Sequence, residues 1–92
     1  MYEIHTTTQY DKGFKRILYD RKLIDELETV ITLLATDDTP LPAKYKDHQL
    51  KGKKSENREC HIRPDWLLVY QKKKKELILL LINTGSHSHI FK

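Results

Sequence analysis

The last nine residues, Thr84-Gly85-Ser86-His87-Ser88-His89-Ile90-Phe91-Lys92, follow directly on the most apolar run of the chain, Leu77 to Ile82. They place two imidazoles and one aromatic ring within reach of a sheet edge. Upstream stand three more residues of the same chemical kind, His48, His61 and Asp65. An unperturbed imidazole titrates at about 6.5, so histidine can give or take a proton near neutrality. Several histidines beside a basic surface point to acid–base chemistry on a phosphodiester.

The basic surface is visible in the charge distribution. The net charge is +4, but residues 1–43 carry −3, residues 44–75 carry +7, and residues 76–92 carry none. A one-sided positive field is the footprint of a nucleic-acid binder, and also of an unevenly charged soluble surface. With 92 residues, 38% of them hydrophobic, the chain has material for one small domain with a thin core. The single cysteine, Cys60, excludes an intrachain disulfide and suits a reducing compartment. Met1–His5 lacks the basic-then-apolar pattern of a signal peptide. The six residues Leu77–Ile82 fall far short of the roughly 20 that a membrane span needs. A soluble, cytoplasmic protein is expected.

Periodicity supplies the elements that must position these side chains. Tyr2–Thr6 alternates as a short strand. Thr8-Gln9-Tyr10-Asp11 has capping-box spacing with Asp in place of Glu. Tyr10, Phe14, Ile17 and Leu18 then mark one helical face, weakened by Gly13. Leu23, Ile24, Leu27, Val30, Ile31 and Leu34 mark a stronger one, so the two form a tight helical hairpin around Asp20-Arg21-Lys22. Two prolines and two aspartates make Thr36–Pro42 a loop. Tyr45–Leu50 is short and extended, and Lys51–Ser55 is a basic turn. Three strands follow at 56–63, 66–71 and 76–83, with Lys72–Lys75 as a hairpin tip. The order β-α-α-β-β-β predicts an α+β domain with helices on one face of a small antiparallel sheet.

Strand alternation puts Arg58, Cys60 and Ile62 on one face of the first of these strands, and Glu59, His61 and Arg63 on the other. His61 therefore faces away from the core, whereas Cys60 faces into it, which argues against a Cys/His pair. Read alone, His61 is better explained as an exposed polar residue. No H-x-x-x-H or C-x-x-C spacing marks a metal site, and His87-x-His89 is a weak one. Neither a glycine-rich phosphate loop nor a G-x-S-x-G elbow is present. Lys72–Lys75 reads first as a solvated tip and second as a phosphate contact. Trp66 and Phe91 have the rings to stack on bases; Trp66 fits core packing better, whereas a large ring as near the terminus as Phe91 needs a reason.

Three segments in order resemble the YafQ branch of the RelE/ParE toxin superfamily. They are Leu41 through Gly52 (LPAKYKDHQLKG), Arg58 through Tyr70 (RECHIRPDWLLVY), and the tail from Thr84 to Phe91. The resemblance covers essentially the whole chain, residues 1–92. It implies a RelE-like α+β toxin of a type II toxin–antitoxin system, a metal-independent mRNA endonuclease acting in the ribosomal A site. The implied partner is a DinJ/RelB-like antitoxin, with operator DNA bound only by the toxin–antitoxin complex. The implied catalytic residues are His48, His61, Asp65 and His87, with Phe91 as the terminal aromatic. Asn83 departs from the resemblance: related toxins often carry an arginine there that steadies the scissile phosphate. Glu59 stands where an aspartate is usual. Arg63, Arg58 and the lysines Lys51, Lys53 and Lys54 are the expected phosphate contacts. A non-catalytic member that binds antitoxin and DNA, and a ParE-like gyrase poison, are the alternatives on the same fold.

Overall fold

The computed structural model describes residues 1–52 and 56–91. The elements run β1 (Glu3–Thr6), α1 (Thr8–Lys15), α2 (Arg21–Thr36), a short 3-10 helix (Ala43–Tyr45), β2 (His48–Gln49), β3 (Arg58–Arg63), β4 (Trp66–Lys73), β5 (Ile78–Gly85) and α3 (His87–Ile90). Among the described residues the strands form one five-stranded sheet in the order β1-β5-β4-β3-β2. The basic turn keeps only Lys51 and Gly52 in view; Lys53, Lys54 and Ser55 lie outside the described residues.

The α+β class and its helix-on-sheet layering hold. The sheet, however, is mixed. β2, β3, β4 and β5 pair antiparallel, whereas β1 enters parallel to β5, with Ile4 opposite Leu79. Parallel partners need a covered crossover between them. Here nearly the whole chain, including both long helices, lies between β1 and β5. A hairpin-based sequence argument sees only neighbours in the chain and therefore misses this pairing.

The core lies between α2 and one face of the sheet. Leu23, Ile24, Leu27, Val30, Ile31 and Leu34 are all buried, as the helical spacing predicts. They meet Cys60, Ile62, Leu68, Tyr70, Leu79 and Leu81. The first helix is shorter than its stripe suggests. Its N-cap is Thr7, whose hydroxyl accepts from the Tyr10 N–H. Ile17 is buried in the turn beyond it, whereas Leu18 is exposed. Thr7 also donates to the Ile82 carbonyl at 2.6 Å, fastening the start of α1 to β5. Among the described residues no helix is long and apolar enough to cross a membrane.

Gly13 has a packing reason that outweighs its low helix propensity. A Cβ there would stand 2.0 Å from the Thr84 carbonyl oxygen, a backbone atom of β5. Glycine thus lets α1 lie directly against the strand that leads into the histidine tail. Gly13→Ala would gain about 1 kcal/mol of helix propensity. Forcing α1 off β5 costs roughly 1–3 kcal/mol, and the clash is with backbone, so the upper end applies. The substitution is expected to lower the urea midpoint with an unchanged m-value, measured by equilibrium denaturation.

Candidate active site

The face of the sheet turned away from α2 carries the site, and the strand register explains why. His48 pairs with Glu59, Glu59 with Val69, and Val69 with Asn83. His61 pairs with Leu67, and Leu67 with Gly85. Directly opposed residues share a face, and residues two apart on one strand share it too. His48, Glu59, His61 and Asn83 therefore all belong to the open face. β5 runs two residues further than its hydrophobic pattern predicts, through Thr84 and Gly85. The tail then turns into α3, capped by Ser86, whose hydroxyl accepts from the His89 N–H.

The result is a row of rings. The centroids of His48 and His61 are 6.5 Å apart, those of His61 and His87 are 5.6 Å apart, and those of His87 and Phe91 are 6.2 Å apart. Residues from β2, β3, α3 and the α3 C-cap Phe91, separated by up to 43 positions, thus line one surface. Phe91 stays half-exposed at the end of the row.

Each outer histidine is held by one ring nitrogen. His87 Nδ1 lies 2.7 Å from Asp65 Oδ1, and the His87 backbone N–H donates to the same oxygen at 3.0 Å. A carboxylate only accepts, so the proton sits on Nδ1 and Nε2 is left for the open face. His48 Nδ1 donates to the Lys46 carbonyl at 2.8 Å, which turns its Nε2 toward β3. Lys46 presents that carbonyl from the left-handed region, at φ 49°, a conformation uncommon outside glycine. The strained residue closes the 3-10 helix and aims the His48 ring at β3.

Glu59 is the residue to which the motifs gave no role. It is 3% exposed, and its Oε1 lies 3.5 Å from His48 Nε2 and 3.9 Å from His61 Nε2. Its Oε2 is buried with no hydrogen-bond partner among the described residues. A buried carboxylate without full pairing is costly, and two imidazoles above it offer the partners. The signal was present in the alternation that set Glu59 beside His61; its significance needed the β2–β3 register.

The expected phosphate contacts are rearranged. Arg63 does not share the open face with His61. The register shifts between them, and the guanidinium Nε donates to Glu26 Oε1 of α2 at 2.8 Å, with Asp20 3.4 Å from its Nη1. Arg58 faces the core side and pairs with Asp47 at 3.2 Å; the Tyr70 hydroxyl donates to the same carboxylate at 2.6 Å. Both arginines are thus committed to carboxylates. Lys51 is exposed beside β2, and Lys53 and Lys54 lie outside the described residues. Trp66 packs against the core, with its indole N–H buried and unpartnered among the described residues. Burial, and then the charges of Asp47 and Glu59, push the Cys60 thiol up to about 12, so it is no nucleophile. Among the described residues no three His, Cys, Asp or Glu side chains converge to hold a metal ion.

The family model for the bacterial toxin of type II toxin–antitoxin systems, YafQ, matches residues 2–92. The chain belongs to the YafQ family of toxins. It is 37% identical to the mRNA interferase toxin YafQ of Escherichia coli K12 over 89 residues, covering 97% of this chain and 95% of that one. Its structure superposes on the E. coli toxin in the DinJ–YafQ complex with a TM-score of 0.88 at 33% identity, covering all of both chains. A metal-bound toxin from Helicobacter pylori is 46% identical, with a TM-score of 0.89 over 99% of this chain and all of that one. The YafQ-type segments of the sequence are thus the same ones that build the ring row.

The Asp65–His87 clamp has a pH signature. The His87 N–H groups and the nearby His87 and His89 charges hold the Asp65 carboxyl below its usual range. A depressed carboxyl pKa contributes stability that is complete above the unfolded value, about 3.9, and is lost as pH falls through the lower folded value. Carboxyl-carbon NMR titration is expected to find Asp65 titrating below an ordinary aspartate, with the His87 amide shift following the same curve.

Proposed function

We propose that this chain is an mRNA interferase: a ribosome-dependent endoribonuclease that cleaves by metal-independent acid–base chemistry. The observation that carries the reading is the pair of rings, His61 and His87, 5.6 Å apart on an open face, with His87 held by Asp65 through Nδ1. The family match supports it, as does the name of the E. coli relative.

In this mechanism the RNA's own 2′-hydroxyl attacks the adjacent phosphorus. One group takes the 2′ proton, and another protonates the leaving 5′ oxygen as the P–O bond breaks. Each role contributes typically 10²–10⁴-fold. His87 takes one role through its free Nε2, and His61 or His48 takes the other. Asp65 keeps His87 in the required tautomer. Glu59 lies 3.5 Å from His48 Nε2 and 3.9 Å from His61 Nε2, placed to attract either ring when it carries the transferred proton. Phe91 stacks on a base beside the scissile phosphate. Lys51 supplies positive charge beside β2, and Lys53 and Lys54 follow it in the sequence.

The ribosome has a physical part in this reaction. The site is an open face and offers few contacts to bend RNA into line for attack. An A-site codon is already oriented, and orientation is worth several kcal/mol of barrier. The antitoxin partner is DinJ-like, by likeness to the E. coli complex. An acidic, apolar segment suits a surface carrying +7 over residues 44–75. Operator DNA is bound by the toxin–antitoxin complex.

Primer extension on a defined mRNA in a reconstituted translation reaction, with and without chelator, tests the reading. Wild type is expected to cut in codon register only when ribosomes are present, with or without chelator. His87→Ala is expected to lose roughly 10²–10⁴-fold in rate. Absence of cutting by folded wild type would point to a non-catalytic binder or a gyrase poison, and a supercoiling assay separates those two. Mass spectrometry of the upstream fragment is expected to show a 2′,3′-cyclic phosphate; a 3′-hydroxyl end would sink the 2′-hydroxyl mechanism.

A further inference from the structure

Beyond the histidine row, the open face continues past β5 into a second groove. Lys12 of α1, its C-cap residue Arg16, Asn83 of β5 and His89 of α3 line it, around about 460 Å³ of space. Three separate elements thus meet at one surface depression. The Gly13 contact with the Thr84 carbonyl fixes α1 at this distance from β5, so the groove is a built feature of the fold.

The cations in the groove are uncommitted. The chain has four arginines. Arg21, Arg58 and Arg63 each lie beside a carboxylate, whereas Arg16 has none among the described residues. Lys12 likewise has no ion-pair partner among the described residues. The two are four residues apart and therefore neighbours on one side of α1, where like charges repel. A bound anion removes that cost. Asn83 adds an amide able to donate. His89 Nδ1 is 2.9 Å from the Ser86 hydroxyl, which leaves Nε2 available.

The position of the groove identifies the anion. Asn83 is in the same cross-strand row as His48 and Glu59. Three strand spacings, roughly 14 Å, separate the β2 end of that row from the β5 end. A single strand laid along that row from His48 to Asn83 would continue into the groove between α1 and α3. We infer that Lys12 and Arg16, with Asn83 and His89, form a subsite for a backbone phosphate of the mRNA a few nucleotides from the cleaved bond. The inference rests on the nuclease reading above. It also assigns the positive charge at this end of the site to α1, since Asn83 itself carries none.

The test is cleavage on ribosomes programmed with mRNAs in which one phosphate at a time is a neutral methylphosphonate. Wild type is compared with Lys12→Gln/Arg16→Gln and with Arg21→Gln/Lys22→Gln, which loses the same charge elsewhere on the helices. All four side chains are exposed, so folding is expected to be intact, and thermal melting checks it. At one phosphate position neutralisation is expected to lower wild-type kcat/KM about tenfold, the effect of losing a charge-assisted contact. The same neutral linkage is expected to leave Lys12→Gln/Arg16→Gln unaffected, because its contact is already gone. The control variant should respond as wild type does.

Three outcomes would overturn the inference. If neutral linkages cost wild type and Lys12→Gln/Arg16→Gln equally at every position, the groove does not hold mRNA. If that variant is weakened equally on every mRNA, the groove contacts ribosomal RNA instead. If it loses only antitoxin affinity, the groove belongs to the antitoxin. In each of these cases wild type still cuts, so the nuclease reading survives; failure of wild type itself to cut removes both.

Discussion

Leu67, Leu68, Val69 and Tyr70 are consecutive and all buried, on both faces of β4. A strand buried on both sides admits one register, because a slip by one residue would exchange its two sets of neighbours. β4 is therefore the fixed reference of this molecule. β3 pairs on one side of it and β5 on the other. Through those pairings it sets the separation of His61 from the tail that follows Gly85. Thr84, fully buried, locks the same register by donating its hydroxyl to the Leu67 carbonyl at 2.8 Å. The histidine row is a consequence of that central pairing.

Around this frame the charged residues divide by function. One set is spent on architecture. Arg63 joins the β3–β4 turn to Glu26 and Asp20, beside the start of α2, and Arg58 with Tyr70 holds Asp47, immediately before His48. Lys72 lies over the Tyr2 ring and bonds Asp38, securing the chain start against the loop after α2. The other set, Lys51, Lys12 and Arg16, keeps its charge at the solvent surface. Net charge alone does not separate these sets. A guanidinium already bonded to a carboxylate offers little to a phosphate, whereas an unpaired one keeps its field and its donors.

Two features show how positioning is achieved with so small a core. Lys46 adopts a left-handed backbone so that its carbonyl meets His48, and Asp65 uses a single oxygen to accept both N–H groups of His87. Each fixes an imidazole by one nitrogen and so sets the direction of the ring. Glu59 sits beneath the first two rings, buried and under-satisfied. A buried polar atom without a partner calls for an explanation, and functional sites are where such local rules are broken.

Much of this was legible in the residues themselves. The stripe from Leu23 to Leu34 specified α2 and its buried face, since a 3.6-residue period leaves no other partner for six apolar side chains. The alternation at Arg58–Ile62 set Cys60 inward and His61 outward. The three YafQ-like segments named His48, His61, Asp65, His87 and Phe91, which the fold brings to one surface. What local pattern could not decide was everything that depends on non-neighbouring strands. The parallel entry of β1 beside β5, the approach of Glu59 to two histidines, the commitment of Arg63 to α2 and the meeting of α1 with Asn83 each join segments far apart in the chain. Periodicity reports which face of an element is apolar. Only the closed sheet, with its register fixed by β4, decides which polar side chains meet across the other face.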